Sequence, residues 1–291
     1  MDRLDLYIPK DLDDLLLFLQ RDELGSRVIA GGTDLVPRLR RGDLVLPRLV
    51  DLSGLSDLRY VRKERGEVRI GSMTTIAELT SSHILGRKYE AFQQGAHLFG
   101  SNNTLNMATV GGNVAAAVSA SDFLVIFLAL DAKVRLLSAL GERILRLEDF
   151  VRGKRTLDLK KGEIISEISF AEIPDQAACS FQKVGRRQRV IVSLVSLALY
   201  LQLDLNSKRI KEIRIAMNRL GGKHPARAKM TESVLNGKSF ASRTRNRAIS
   251  ALEEELSLTS DFRATAEYRK SMAGVLLRHA WEDCLARMRV A

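Results

Sequence analysis

The 291-residue chain holds two cysteines, Cys179 and Cys284. Two thiols so far apart exclude a disulfide scaffold, a cysteine-rich zinc site and an iron–sulfur cluster held by this chain alone. Histidine is nearly as scarce: His83, His97, His224 and His279 have no ligand spacing, and no metal ligand is assigned. Aromatic residues make up only 5%, and the cations are not interleaved with them. That sets aside a nucleic-acid-binding protein despite a net charge of +11. The longest apolar run, Phe123 to Leu130, falls far short of the roughly 20 residues a spanning helix needs. The first ten residues contain two acids and a proline, not a basic stretch before an apolar core, so a cytoplasmic protein is expected. No G-x-S-x-G elbow, H-E-x-x-H helix or G-x-G-x-x-G fingerprint is present, and Gly237-Lys238-Ser239 lacks the P-loop glycine five residues earlier, where Glu232 stands. No catalytic residue is assigned. Any chemistry here needs a borrowed cofactor.

What is present is enough for a substantial core, with 45% hydrophobic and 28% charged residues. The positive balance favours an anionic partner. Asp11 is a candidate N-cap for a helix whose Leu12, Leu15, Leu16 and Leu19 share a face. Gly25 closes that helix, and a short buried strand is expected from Arg27 to Ala30. Leu58–Val61 and Val68–Ile70 flank Gly66 as a hairpin, and helix follows between Thr75 and Phe99 with a break near Gly86. Asp122 opens a helix that is apolar on every side, hence buried. Strands are expected at Val134–Leu137, Ile164–Phe170, Ser180–Val184, Val190–Leu203 and Arg209–Met217. Helices near Arg227–Leu235, Ser242–Glu255 and Asp261–Met288 close the chain. Strands followed by helices predict an α+β fold, with boundaries near Ser53 and Asp175 that divide it into residues 1–53, 54–175 and 176–291.

Two Gly-Gly turns stand out, Gly31-Gly32 and Gly111-Gly112, each after small or apolar residues and before a helix-forming stretch. Without a Cβ the backbone can come close to a ligand. Successive exposed amides form a concave anion site. Two such turns are expected to grip the phosphates of one pyrophosphate from opposite sides. Either turn alone is an ordinary chain reversal.

The longer strings narrow the reading. Val28-Ile29-Ala30-Gly31-Gly32-Thr33-Asp34-Leu35-Val36 and Ala108-Thr109-Val110-Gly111-Gly112-Asn113, followed by Ser121-Asp122, resemble the paired signatures of the FAD-binding medium subunit of molybdenum hydroxylases, the xanthine dehydrogenase and carbon monoxide dehydrogenase family. Ile70-Gly71-Ser72-Met73-Thr74-Thr75 and Ser180-Phe181-Gln182-Lys183-Val184-Gly185 extend the resemblance along most of the chain. It implies a vanillyl-alcohol-oxidase (VAO/PCMH) fold, with two α/β subdomains holding FAD and a C-terminal antiparallel sheet with helices. By position, Ala30, Gly31, Gly32, Thr33 and Asp34 would wrap the pyrophosphate from one subdomain, with Arg27, Val28, Ile29 and Leu35 beside them in the cofactor site. Thr109, Val110, Gly111, Gly112 and Asn113 would do so from the other. Asp122 would contact the ribityl or adenosine side, Ile165 would pack on a ring, and Lys183 would lie near the isoalloxazine. The resemblance further implies [2Fe–2S] clusters on a small partner subunit, a molybdenum cofactor on a large one, a dimer of heterotrimers, and NAD, a quinone or another final acceptor.

Three departures from the family pattern concern the acceptor and docking sites: Leu105 in place of a frequent arginine, Val118-Ser119 in place of Ser-Pro, and Val190-Ile191-Val192 in place of Asp-Ile-Ala. The run Lys183 to Arg189 carries four cations and no acid, which suits either an anion-attracting loop or a solvated strand end. A stand-alone FAD oxidoreductase of the same fold would need its own base or nucleophile, and no such cluster is evident.

Overall fold

The computed structural model describes residues 4–186, 192–218 and 224–289. The chain starts with strand β1 (Asp5–Tyr7), helix α1 (Leu12–Arg21), strand β2 (Arg27–Ile29), helix α2 (Leu35–Arg40) and strand β3 (Arg48–Asp51). Asp11 caps α1 as the sequence predicts, accepting from the Asp14 amide at 2.8 Å. The three strands form a parallel sheet in the order β1-β3-β2. Leu15 and Leu19 of α1 are buried with Val50, Leu52 and Leu58. β2 is therefore an edge strand. It is not the buried strand expected over Arg27–Ala30: it stops at Ile29, Arg27 is exposed, and Val28 to Ala30 are half-buried. Its free side borders a cleft.

Strands β4 (Val61–Glu64) and β5 (Glu67–Gly71) form the expected hairpin, with Leu58 shifted into a preceding 3₁₀ turn. Helices α3 (Ile76–Ser81) and α4 (Glu90–Phe99) follow, then α5 (Asn102–Met107), α6 (Val110–Ala116) and α7 (Asp122–Ala129). Next come β6 (Lys133–Ser138), β7 (Gly141–Arg146), the turn of helix α8 (Leu147–Phe150), the small hairpin β8 (Val151–Gly153) and β9 (Thr156–Leu157), and β10 (Ile164–Ala171). An antiparallel sheet runs β4-β5-β10-β6-β7, and a register shift between Ile165 and Glu167 interrupts the β10–β6 pairing.

The third sheet is antiparallel, β11 (Ala177–Val184), β12 (Val195–Asp204), β13 (Arg209–Met217) and β14 (Ala226–Arg227) in that order. Helices α9 (Lys229–Leu235), α10 (Ser242–Glu255) and α11 (Ala266–Arg287) complete the described chain. β12 meets α11 and α7, so it is covered on both faces, which explains its near-continuous apolar run. All eight residues of α7 are buried, as its all-round apolarity requires. α11 begins at Ala266, later than expected, because the Thr265 hydroxyl caps it by accepting from the Tyr268 amide at 3.1 Å. Among the described residues no helix is long and apolar enough to cross a membrane.

Candidate functional site

A cleft of about 410 Å³ separates the first sheet from the helices of the second, within the usual range for ligand sites. Residues 27–35 all line it, together with Thr109, Gly112 and Asn113. The structure thus brings one surface of each glycine string to a common space. The rest of the expected set lies elsewhere. Val110 is fully buried, and Ile165 is 8% exposed in the core, paired with Leu136 where β10 runs through the middle of its sheet. Asp122, one residue past the cleft-lining Ser121, and Lys183 of β11 sit behind the wall. Of the departures, Val118 lines the cleft and Leu105 is half-buried against the core. Arg187, Arg189, Val190 and Ile191 lie outside the described residues.

The two glycine strings differ in the donors they leave free. In the first, the amides of Gly31, Gly32 and Thr33 donate to no acceptor among the described residues, and neither does the Thr33 hydroxyl. Three consecutive free N–H groups beside an open cleft make an anion nest. In the second, the four amides from Val110 to Asn113 are all used. Val110 donates to the Thr74 carbonyl at 2.9 Å, Gly111 to the Ser72 carbonyl at 2.8 Å and Asn113 to the Thr109 carbonyl at 2.9 Å. The Gly112 amide donates to the Thr109 hydroxyl at 3.1 Å, capping α6. Of the two turns expected to grip the phosphates from opposite sides, the first leaves its amides free and the second does not. The first string offers donors, whereas the second offers a smooth wall.

The glycines themselves divide the same way. A Cβ at Gly31 would overlap the Met107 carbonyl oxygen, so Gly31 is where the first lobe touches the second. One at Gly111 would lie 2.6 Å from the Ser72 Cβ, so Gly111 seats α6 on the loop after β5. Gly32 has φ +67° with Val36 and Ile29 side chains close by, a conformation that side chains rarely adopt. Only Gly112 is bare because of the cleft, its sole near neighbour being the Thr109 hydroxyl at 2.8 Å from a Cβ placed there.

The charges around the cleft fit an anion with two negative charges. Arg27, Arg38 and Arg155 line it with a single acid, Asp34, leaving a surplus of two positive charges. Arg155 holds Asp34 through both guanidinium nitrogens, at 2.7 and 2.9 Å, and this keeps the carboxyl below its ordinary range. The Asn113 amide oxygen is buried on the cleft wall without a hydrogen-bond partner. Such an orphan in a wall of small residues calls for a donor from a ligand. Sequence reasoning missed Arg155, which stands in the turn Gly153-Lys154-Arg155-Thr156 and belongs to neither glycine string.

Behind the wall, Lys183 donates to an Asp122 carboxylate oxygen at 2.5 Å and to the Leu98 carbonyl at 3.2 Å. Both side chains are almost wholly buried. Burial pushes the Asp122 carboxyl up to about 6, with the Lys183 ammonium pulling the other way. The lysine charge is thus balanced within the protein, and the pair ties β11 to the start of α7.

A small parallel sheet and an antiparallel one facing each other across a cleft with a surplus of cations, backed by a separate antiparallel sheet with helices, define an α+β FAD-binding protein of the PCMH type. Residues 2–174 match the family described as the FAD binding domain in molybdopterin dehydrogenase, and residues 180–284 the CO dehydrogenase flavoprotein C-terminal domain. The chain belongs to this family, the FAD-binding medium subunits of molybdenum hydroxylases, and is an oxidoreductase subunit. It is 31% identical to the glyceraldehyde dehydrogenase medium chain of Sulfolobus acidocaldarius over 94% of this chain and 95% of that one. It is 28% identical to the carbon monoxide dehydrogenase medium chain of Afipia carboxidovorans, over 97% of each. The structure of reconstituted CO dehydrogenase from Oligotropha carboxidovorans superimposes with a TM-score of 0.91 over 98% of both chains, at 28% identity.

Proposed function

We propose that the chain is the electron-transfer subunit of a molybdenum-containing hydroxylase. It would take electrons from [2Fe–2S] clusters on a small partner, which receives them from a molybdenum cofactor on a large one, and deliver them to NAD+, a quinone or another acceptor. The setting is a cytoplasmic dimer of heterotrimers. The observation that carries the reading is the run of free amides at Gly31, Gly32 and Thr33 facing a cleft with a surplus of two positive charges. With the division at 53 and 175, the described residues of 1–53 and 54–175 would form the two walls, and those of 176–291 a buttress that seats α7 against the second.

In this reading the Gly31, Gly32 and Thr33 amides and the Thr33 hydroxyl donate to the diphosphate, whose charge Arg27 and Arg38 balance while Arg155 is held by Asp34. Asn113 turns its unpartnered oxygen to a donor of the cofactor. Gly112 keeps the opposite wall flat. When bound, FAD supplies the redox chemistry, accepting and releasing electrons singly or in pairs. The chain itself binds, orients and excludes water, and no base or nucleophile of its own is required.

Gly112→Val is expected to give protein with less than a tenth of the wild-type FAD content by absorbance. Its melting temperature should fall only by the few degrees that loss of the Thr109 cap implies, about 1 kcal/mol. For the wider reading, co-expression with candidate small and large subunits should give a complex that contains iron and molybdenum and reduces an added acceptor. The chain alone should carry FAD and turn over no substrate. Turnover by the chain alone would favour a self-sufficient oxidoreductase.

A further inference from the structure

Arg155 occupies an unusual place. It is the second residue of the two-residue turn between β8 and β9, whose ends pair as Gly153 with Thr156. Its φ is +58°, a conformation that favours glycine or asparagine in such turns. Its amide donates at 2.9 Å to the carbonyl of Ala117, itself left-handed at φ +41°. Two residues in sparsely populated conformations, bonded to each other at a cleft, point to a demand on the side chain. That side chain reaches from the second lobe to the first and grips Asp34 in a bidentate pair. Asp34 directly follows the Gly31, Gly32 and Thr33 amides and makes no capping bond to α2.

We propose that Asp34 and Arg155 form a clasp that joins the two lobes at the edge of the anion nest and so governs how fast FAD leaves the cleft; this rests on the cofactor reading above. The clasp is a positioning device and makes no part of the redox chemistry. An ion pair that spans two walls resists their separation, and a bidentate guanidinium–carboxylate contact adds fixed geometry to the attraction. Both groups are partly exposed, at 33% and 40% of the side chain, so the attraction weakens with salt.

The backbone supplies a clean test. Arg155→Gly removes the clasp while placing at φ +58° the residue that tolerates it best, so the fold is not penalised. FAD-loaded protein is diluted into apoflavodoxin or another flavin trap, and release is followed by fluorescence. Arg155→Gly and Asp34→Asn should each speed release about tenfold, equivalent to about 1.4 kcal/mol, and the double variant no more than either alone. Wild-type release should quicken with salt more steeply than release from either variant. If Arg155 instead served the phosphate directly, Asp34→Asn would leave release unchanged or slower and the single effects would not coincide, which overturns the clasp. Unchanged release from Arg155→Gly would also overturn it. A wild-type chain that takes up no FAD overturns the cofactor assignment itself, and the clasp with it.

Discussion

Gly31→Ala is expected to abolish stable FAD binding and to lower the melting temperature by about 5–10 °C, although it adds a single methyl group. The new Cβ has no place to go, because it would overlap the Met107 carbonyl oxygen and that backbone is fixed on both sides. Ala108 donates to Thr104 and accepts from the Ile76 amide, at 2.8 Å each. Interiors of this density do not yield locally, so the first lobe must move away. Overpacking of this kind costs about 1–3 kcal/mol, and each kcal/mol lowers the midpoint of a chain this size by about 2–4 °C. Displacing the lobe also carries the three free amides away from the Gly112 wall, and binding goes with them. Gly54→Ala is the control, since its Cβ meets nothing within 4 Å; it should bind FAD and melt as wild type does. Normal FAD content in Gly31→Ala would mean that the lobes do not need this contact.

Lys183→Met should produce the largest loss of stability, about 3–5 kcal/mol at pH 8. Removing one partner of a buried pair leaves the other charge uncompensated, and here both side chains are only 1–2% exposed. The loss should depend on pH in a defined direction. Burial already pushes the Asp122 carboxyl up to about 6 against the pull of Lys183, and without the ammonium it rises further. The costly species is ionised, unpaired Asp122, which protonation removes. The deficit relative to wild type therefore grows with pH from about 6 toward the variant's higher carboxyl value, and is smallest and nearly constant below 6, where both native carboxyls are protonated. Combining Lys183→Met with Asp122→Asn should recover most of the loss at pH 8. Thermal melts of the three variants from pH 5 to 8 measure this, and a deficit that stays constant across the range would contradict it.

Long and strongly patterned elements were readable in the sequence. The Phe123–Leu130 run predicts a helix buried all round because no face of it could meet water, and α10 occupies the expected Ser242–Glu255. Short strands were not readable. β1, β7, β8 and β9 carry few apolar residues in alternation and exist because neighbours supply their hydrogen bonds, as β6 does for the Gly141–Arg146 strand. For β2, composition indicated a strand, but edge position and the adjoining cleft decide that it is half-exposed.

Both glycine strings that carry the family resemblance have residues on the cleft, yet the resemblance could not apportion their donors. Whether a Gly-Gly amide is free depends on what lies opposite. Thr74, Ser72 and Thr109 take up the donors from Val110 to Asn113, whereas the Gly31, Gly32 and Thr33 amides meet no acceptor among the described residues. Arg155 was invisible for a related reason, since its partner Asp34 is 121 residues away and no local pattern links them. Lys183, expected near the isoalloxazine, has its charge answered by Asp122.

The most direct measurement is a titration of the purified, flavin-free chain with FAD and, in parallel, with riboflavin, which carries the same ring system without the diphosphate. Three backbone donors and a surplus of two positive charges aimed at that diphosphate predict one FAD per chain and riboflavin affinity at least a hundredfold weaker, a difference of about 2.7 kcal/mol. Equal affinity for the two would place the grip on the ring and contradict the amide nest at Gly31, Gly32 and Thr33.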